Sequence, residues 1–278
     1  MADFSIILMD KAPGETSFQS LGRIKRGNKG VKVGHAGTLD KFASGLMVVL
    51  TGGATKLNPI FSSFDKEYIA SIHFGEETDT LDPEGEVIAE AEKPSLATLE
   101  SVIPAFLGKQ KQIPPQYSAI HVDGKRAYKE ARKGNDIEMP ERDIEISSIN
   151  LLSYDGTEAV IRVSVSKGTY IRSLARDIAL KSGSRAHLSA LRRLRIGPWT
   201  LEDSVLPTSQ LLEKTGLLSA VILRDDERKL VENGTVRRRA VLSDSAPEKP
   251  YAFLSFSDGL YGIGEKTDGR IRVIARLQ

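Results

Sequence analysis

Apolar positions along this chain recur with two periods, and the two kinds of run are interleaved. FSIILMD (4–10) and the continuous apolar run LMVVL (46–50) predict strands. TSFQSLGRIKR (16–26) predicts a helix with Thr16 or Ser17 as its N-cap. KEYIASIHFG (66–75) alternates as a strand does, and EVIAEAE (86–92), beyond the acidic loop EETDTLDPEG, is its expected hairpin partner. GGATKLNPIF starts like a helix and breaks near Pro59. SLATLESVIPAFLG has apolar residues at 96, 99, 102, 103, 106 and 107, a helical spacing that conflicts with Pro104. KQKQIPPQYSAIHVDGKRAY reads as a loop entering a basic helix that ends at Gly134. RDIEISSINLLSYDG and TEAVIRVSVSKG predict two strands joined by a turn at Asp155-Gly156. YIRSLARDIALKSG (170–183) predicts a helix closed by a glycine, and HLSALRRLRIGPWTLEDSV returns towards the sheet. The mixture is an α/β fold of α+β type.

Beyond Pro207 the texture changes. Strand-like segments at Arg239–Leu242, Tyr251–Ser255, Tyr261–Glu265 and Arg270–Arg276 predict a small β-rich domain over 225–278, after a body over 1–224. A domain of that size is marginal alone and workable when docked.

Composition narrows the chemistry. The 278 residues are 40% hydrophobic and 27% charged, enough for a sizeable core. The absence of cysteine excludes disulfides, thiolate catalysis and Cys-ligated zinc. Four histidines, at 35, 73, 121 and 187, form no metal-binding spacing, so no metal site is expected. The opening MADFSIILMDKAPG is unlike a signal peptide, and no apolar run is long enough to span a bilayer, so a cytoplasmic location away from membranes is expected.

Net charge is only +2, but it is segregated. Arg23, Lys25, Arg26, Lys29 and Lys32 fall between Leu21 and His35 with no acid among them. Lys125, Arg126, Lys129, Arg132 and Lys133 form a second cluster, Arg185, Arg192, Arg193 and Arg195 a third, and Arg237, Arg238 and Arg239 a fourth. The segment from Glu76 to Glu100 is acidic. Basic stripes within a near-neutral total fit a protein that turns one face to a polyanion.

Two segments carry candidate chemistry. GHAGTLDKFASG (34–45) sets Asp40 in a turn of glycines and small residues just before a buried strand, a rigid placement that suits nucleophilic work; the plain alternative is an Asp that caps its own turn. In SKGTYIRSLARDIA (166–179), Lys167, Tyr170 and Arg172 lie where a strand gives way to a helix. Arg172 can hold a carboxylate by two prongs and keep it ionised, contact phosphate, or pair with Asp177. Tyr68 starts a strand, where an aromatic also packs ordinarily. GGATK and GIGEKT lack P-loop context, no GxSxG elbow occurs, and TDTLD has no second acidic cluster to complete a metal site.

GHAGTLDKFASG, KEYIA, TDTLDPEG, PPQYSA and SKGTYIRSLARDIA followed by LSALRR together resemble, in order, the conserved blocks of the TruB family of tRNA pseudouridine synthases, and DKAPGETS (10–17) resembles the family's opening block. The resemblance runs from about Asp10 to Pro198. DGLYGIGE is more loosely similar to the small RNA-binding PUA-type domain. The resemblance implies a mixed, mainly antiparallel sheet with flanking helices and a catalytic cleft. It implies an isomerase that cuts the glycosidic bond of uridine 55 in the T-loop of tRNA, rotates the base and rejoins it through C5, without metal or cofactor. On it, Asp40 matches the catalytic aspartate, Tyr68 the tyrosine against the target base, and Tyr170 and Arg172 the active-site tyrosine and the arginine that pairs with the aspartate. Leu191 matches a pocket-lining residue, and His35 a histidine that holds the flipped-out conformation. Lys11, Lys167, Arg23, Lys25 and Arg26 are candidate RNA contacts, and the expected partner of a monomeric protein is the tRNA T-arm stem-loop. Lys41, Ala12 and His121 depart from the family pattern.

The competing readings are a tRNA-binding and folding factor, a small-molecule enzyme with Asp40 as nucleophile, and a relative that modifies other RNAs with guide partners. A carboxylate held against an arginine within a basic cleft separates an enzyme from a pure binder. Whether Asp40 attacks ribose or uracil, or acts as a base, stays open.

Overall fold

A computed structural model describes residues 4–118, 121–122, 125–126, 138–223, 225–229, 235–237, 250–257, 259–267 and 270–276. The strands of the body are β1 (Phe4–Lys11), β2 (Val33–Ala36), β3 (Ser44–Gly52), β4 (Lys66–Phe74), β5 (Glu76–Thr78), β6 (Val87–Glu90), β7 (Gly108–Gln112), the short β8 (His121–Val122) and β9 (Lys125–Arg126), β10 (Arg142–Tyr154), β11 (Glu158–Val165), β12 (Ala186–Ile196) and β13 (Trp199–Thr200). The main sheet runs β1-β3-β12-β4-β11-β10-β7, with β2 on β3 and β13 on β12. Its pairings are antiparallel except where β12 meets β3 in parallel, over Arg192↔Ser44 and Arg193↔Gly45 alone. That crossing is tight: Gly45 has φ +104°, and a Cβ there would lie 2.3 Å from the Arg193 carbonyl oxygen. Glycine is required for both reasons.

The apolar run in β3 does what such a run predicts, with every residue from Gly45 to Thr51 buried. Alternation in β4 puts Tyr68, Ala70, Ile72 and Phe74 on one face, packed with Val163 and Val165 of β11 and with Leu174 and Ile178 of the helix Ile171–Lys181. That helix ends before Gly183 at φ +74°. Thr16 caps the helix Ser17–Ser20 through a reciprocal box with Gln19, and a second short helix, Gly22–Gly27, follows. Pro59 sits in the first turn of the helix Asn58–Ser62. Pro104 opens a 3₁₀ turn, Ile103–Phe106, after the helix Leu96–Val102. Both prolines occupy positions where the missing N–H costs little.

Two expectations need correction. EVIAEAE does not pair with β4, which is flanked on both sides by β11 and β12; its residues form β6 in a separate hairpin with β5. Gly75, at φ +105°, turns the chain out of the main sheet, and the largely exposed β6 has no apolar face to place inside one. KQKQ is not a loop but the edge strand β7, paired with β10 and guarded by exposed lysines. The basic helix expected before Gly134, with Lys129, Arg132 and Lys133, lies outside the described residues.

A second sheet comprises β14 (Leu218–Ile222), β15 (Thr235–Arg237), β16 (Tyr251–Phe256), β17 (Gly259–Thr267) and β18 (Arg270–Arg276), in the order β14-β16-β17-β18-β15. It takes in Leu218–Ile222, ahead of residue 225, because β14 pairs in parallel with β16. A parallel partner so far along the chain leaves no local signal. The strand expected at Arg239–Leu242 lies outside the described residues. Ile263 and Ala275 of the second sheet share an apolar cluster with Phe4, Leu50 and Trp199 of the body. Among the described residues, no helix is long and apolar enough to cross a membrane.

Candidate active site

The turn carrying Asp40 joins β2 to β3 and is braced from several directions. Ser17 Oγ donates to the Leu39 carbonyl and accepts from the Leu39 amide, both at 2.9 Å. The Gly14 amide donates to the Lys41 carbonyl at 2.8 Å. Lys11 is fully buried, and its ammonium donates to the carbonyls of Ala12, Lys41 and Ala43 at 3.0, 3.3 and 2.6 Å. Buried Arg193 donates to the carbonyls of Leu46 at 2.7 Å and Gly37 at 2.9 Å. Lys11, expected as an RNA contact, braces this loop, its ammonium meeting three backbone carbonyls.

Arg172 enters from the first turn of the helix Ile171–Lys181 and is only 5% exposed. Its Nε lies 3.0 Å from Asp40 Oδ2, and its Nη2 donates to Asp40 Oδ1 at 3.3 Å. The remaining N–H groups donate to the Thr80 carbonyl at 2.8 Å, Asp82 Oδ2 at 3.2 Å and the Tyr117 carbonyl at 2.9 Å. The guanidinium is thus a hub among four chain segments. Asp177 is not its partner: that carboxylate pairs with Arg176.

Asp82 is the residue that reading the sequence missed. It is buried, and its Oδ1 accepts from Thr80 Oγ1 at 2.6 Å and the Glu84 amide at 3.0 Å. The turn that presents it contains Leu81 at φ +60°, the sole positive-φ non-glycine among the described residues. The Leu81 carbonyl accepts from the Leu188 amide of β12 at 3.1 Å, which holds this strained turn against the sheet. The available signal was TDTLDPEG, with its turn-forming Asp-Pro and Gly.

Asp40 lies at the side of a cleft of about 740 Å³, whose lining includes Tyr68, Tyr170, Leu191, Arg172, Lys66 and Arg193. That volume suits a small organic ligand such as a nucleoside. Burial pushes the Asp40 carboxyl above the ordinary aspartate range; Arg172 pulls it down, and Asp82 and Glu84 push it further up. Burial likewise raises Tyr170. The backbone of Tyr170 is clamped by Gln112, which accepts from its amide at 2.9 Å and donates to its carbonyl at 3.1 Å. Lys66 has its pKa lowered to about 8, by burial first and then by Arg193, with Lys167 adding to the effect. Among the described residues, its ammonium donates only to the carbonyls of Ser62 and Phe64. With no carboxylate partner among the described residues, this ammonium sets one cationic point in the cleft wall.

The other candidates sit around this centre. Tyr68 and Leu191 are both buried, on neighbouring strands. His35 on β2 is half-buried and lies outside the cleft lining. Burial, Arg193 and Lys25 all lower its pKa, favouring neutral imidazole. Arg23 and Arg26 are exposed on the helix Gly22–Gly27 with Lys25 half-buried between them, and Lys167 is exposed beyond β11. Among the described residues, no group of three or more His, Asp or Glu side chains is placed to hold a metal ion.

A rigid, arginine-clamped carboxylate beside aromatic and apolar walls, in a cleft of this size, defines an enzyme that takes a planar group. Residues 25–171 match the model of the TruB family pseudouridylate synthase N-terminal domain. The chain is 42% identical over 233 residues to tRNA pseudouridine synthase B of Borreliella burgdorferi (strain ZS7), covering 83% of this chain and 82% of that protein. It is 45% identical over 204 residues to the protein of the same name from Bordetella pertussis (strain Tohama I), covering 72% and 84% respectively. In three dimensions it is similar to the chain in a structure of an H/ACA RNP bound to a substrate RNA containing 2'-deoxyuridine. That match has a TM-score of 0.67 at 24% identity and covers 99% of this chain and 86% of the other, a likeness of fold. This chain belongs to the TruB family of pseudouridine synthases, and is accordingly an isomerase.

Proposed function

We propose that this enzyme converts uridine 55 in the T-loop of tRNA to pseudouridine, with the target base rotated out of its stack into the cleft. The observation that carries the reading is the Asp40 carboxylate clamped by Arg172 at the cleft wall. The names of the curated relatives support tRNA as the substrate. The reaction is balanced without a co-reactant: the N1–C1' bond breaks, the base turns, C5 bonds to C1', and the C5 proton is replaced by one gained at N1. Ionised Asp40 supplies the attacking or basic oxygen, at ribose C1', at uracil C6 or as a proton acceptor. Tyr68 packs against the base, Tyr170 and Leu191 complete its pocket, and Arg172 aligns Asp40. His35 holds the RNA with its uridine turned out, and Lys167, Arg23, Lys25 and Arg26 meet its phosphates. Extracting one base costs on the order of a few kcal/mol, which these phosphate contacts and the pocket offset. The small second sheet is the RNA-binding appendix of a monomeric enzyme.

The test is to incubate the purified protein with an unmodified T-arm stem-loop, in monovalent salt with EDTA, and to assay pseudouridine. Product at position 55, and none when that position is cytidine, is the expected result. Product elsewhere in the tRNA, or none, overturns the reading.

A further inference from the structure

The helix Ser17–Ser20 turns its two serines inward and its aromatic residue outward. Ser17 and Ser20 are buried, whereas Phe18 is 69% exposed. Lys25, on the next helix, holds its ammonium 3.4 Å from the centroid of the Phe18 ring. A cation over one face of an exposed ring fixes the ring's orientation and leaves its remaining surface open. Arg23 and Arg26 flank Lys25, and none of the three has a carboxylate partner among the described residues. The adjacent acid, Glu15, accepts from Ser20 Oγ at 3.2 Å. The ring is also indexed to the active site, because Ser17, its chain neighbour, is locked by two hydrogen bonds to Leu39, the residue before Asp40.

We infer that Phe18 is a stacking platform for one unpaired base of the bound RNA, with Lys25 and Arg23 meeting the phosphates beside that base. The inference rests on the proposed action on a tRNA stem-loop and adds a second base contact to it, outside the pocket for the target uridine. Every base has a π-face, so an exposed ring among cations binds single-stranded RNA without reading its sequence. A base within continuous duplex is already stacked and gains nothing from the ring.

The experiment measures binding of the full chain to a T-arm stem-loop, and to an uninterrupted RNA duplex of equal length, over a range of KCl concentrations. Phe18→Ala and Phe18→Leu should each weaken stem-loop binding by about tenfold, an average-sized loss for one stacked base, while the salt slope stays unchanged. Their binding to duplex should equal the parent's. Phe18→Trp should keep the affinity and show indole emission quenched by the stem-loop, against the buried Trp199 as background. Arg23→Ala should instead flatten the salt slope. Phe18→Leu binding as tightly as the parent, or an unquenched Phe18→Trp, overturns the platform. Pseudouridine formed by the parent on the same stem-loop is scored separately. Phe18-dependent binding without product would sink the proposed function and keep the platform; product with Phe18-independent binding would do the reverse.

Discussion

Arg172 shows what a single side chain can organise. Its planar fork reaches Asp40, Asp82 and the carbonyls of Thr80 and Tyr117 at once. A lysine ammonium carries the same charge but cannot serve four directions from one plane. Arg172→Lys should lower the single-turnover rate by on the order of a hundredfold while stem-loop affinity changes little; equal losses in both would mark Arg172 as a phosphate contact. Asp40→Asn is nearly isosteric and should leave melting temperature and RNA binding intact while abolishing isomerisation. Residual turnover within tenfold of the parent, about 1.4 kcal/mol of barrier, would rule out a nucleophilic role. The pH profile tests the same pair. Burial raises Asp40, so its ionised form, and activity with it, is lost as pH falls through that raised pKa. Asp82 raises Asp40 further and Arg172 opposes it. Asp82→Asn should therefore move the acidic limb of the rate to lower pH, and Arg172→Gln should move it to higher pH. A limb that stays put in both variants would mean that Asp40 is not the titrating group.

At the level of elements, the site is a junction of turns hung on crossing strands. The Asp40 turn ends where β3 meets β12, and the only backbone that permits the crossing is that of Gly45. Gly45→Ala would force a methyl against the Arg193 carbonyl at a positive φ. The cost should be about 2–4 kcal/mol, summing overpacking and left-handed strain. A thermal melt should show a loss of several degrees, and activity should fall further than stability because Asp40 shifts with the turn. An unchanged melt would mean that β3 and β12 separate freely. This level was partly legible beforehand. β1, β3 and the helix Ile171–Lys181 announce themselves through periodicity and a closing glycine, because those features arise between near neighbours. The neighbours of β4 and the strand character of β7 did not, because pairing is decided by residues far along the chain.

At the level of the whole molecule, the two sheets share apolar packing. Phe4, Leu50 and Trp199 meet Ile263 and Ala275, and the turn at Gly53 lies directly against the last strand. A Cβ at Gly53 would come 2.7 Å from the Arg276 carbonyl oxygen. Gly53→Ala should therefore loosen the second sheet and leave the cleft alone. If that sheet holds the tRNA outside its T-arm, affinity for whole tRNA should fall while turnover of saturating stem-loop persists. A variant with a lowered melting temperature but unchanged tRNA affinity would remove the second sheet from RNA binding. The docking surface was not readable from sequence, since Ile263 and Ala275 look like any residues of a small β domain.

The amino-acid sequence alone determined the strongly periodic strands and helices, among them β1, β3, β4 and the helix Ile171–Lys181, where glycines turn the chain, and that Asp40, Tyr68, Tyr170 and Arg172 are the groups to watch. Those properties live in local φ/ψ preference, in periodicity and in short blocks of side chains. Only the tertiary structure decided which of them meet. It brought Arg172 to Asp40 across 132 positions and to Asp82 across 90, and it set the Lys11 ammonium under the Asp40 loop. It also assigned Leu218–Ile222 to the second sheet. Contacts at such separations depend on how every intervening element packs, and no window of neighbouring residues contains that information.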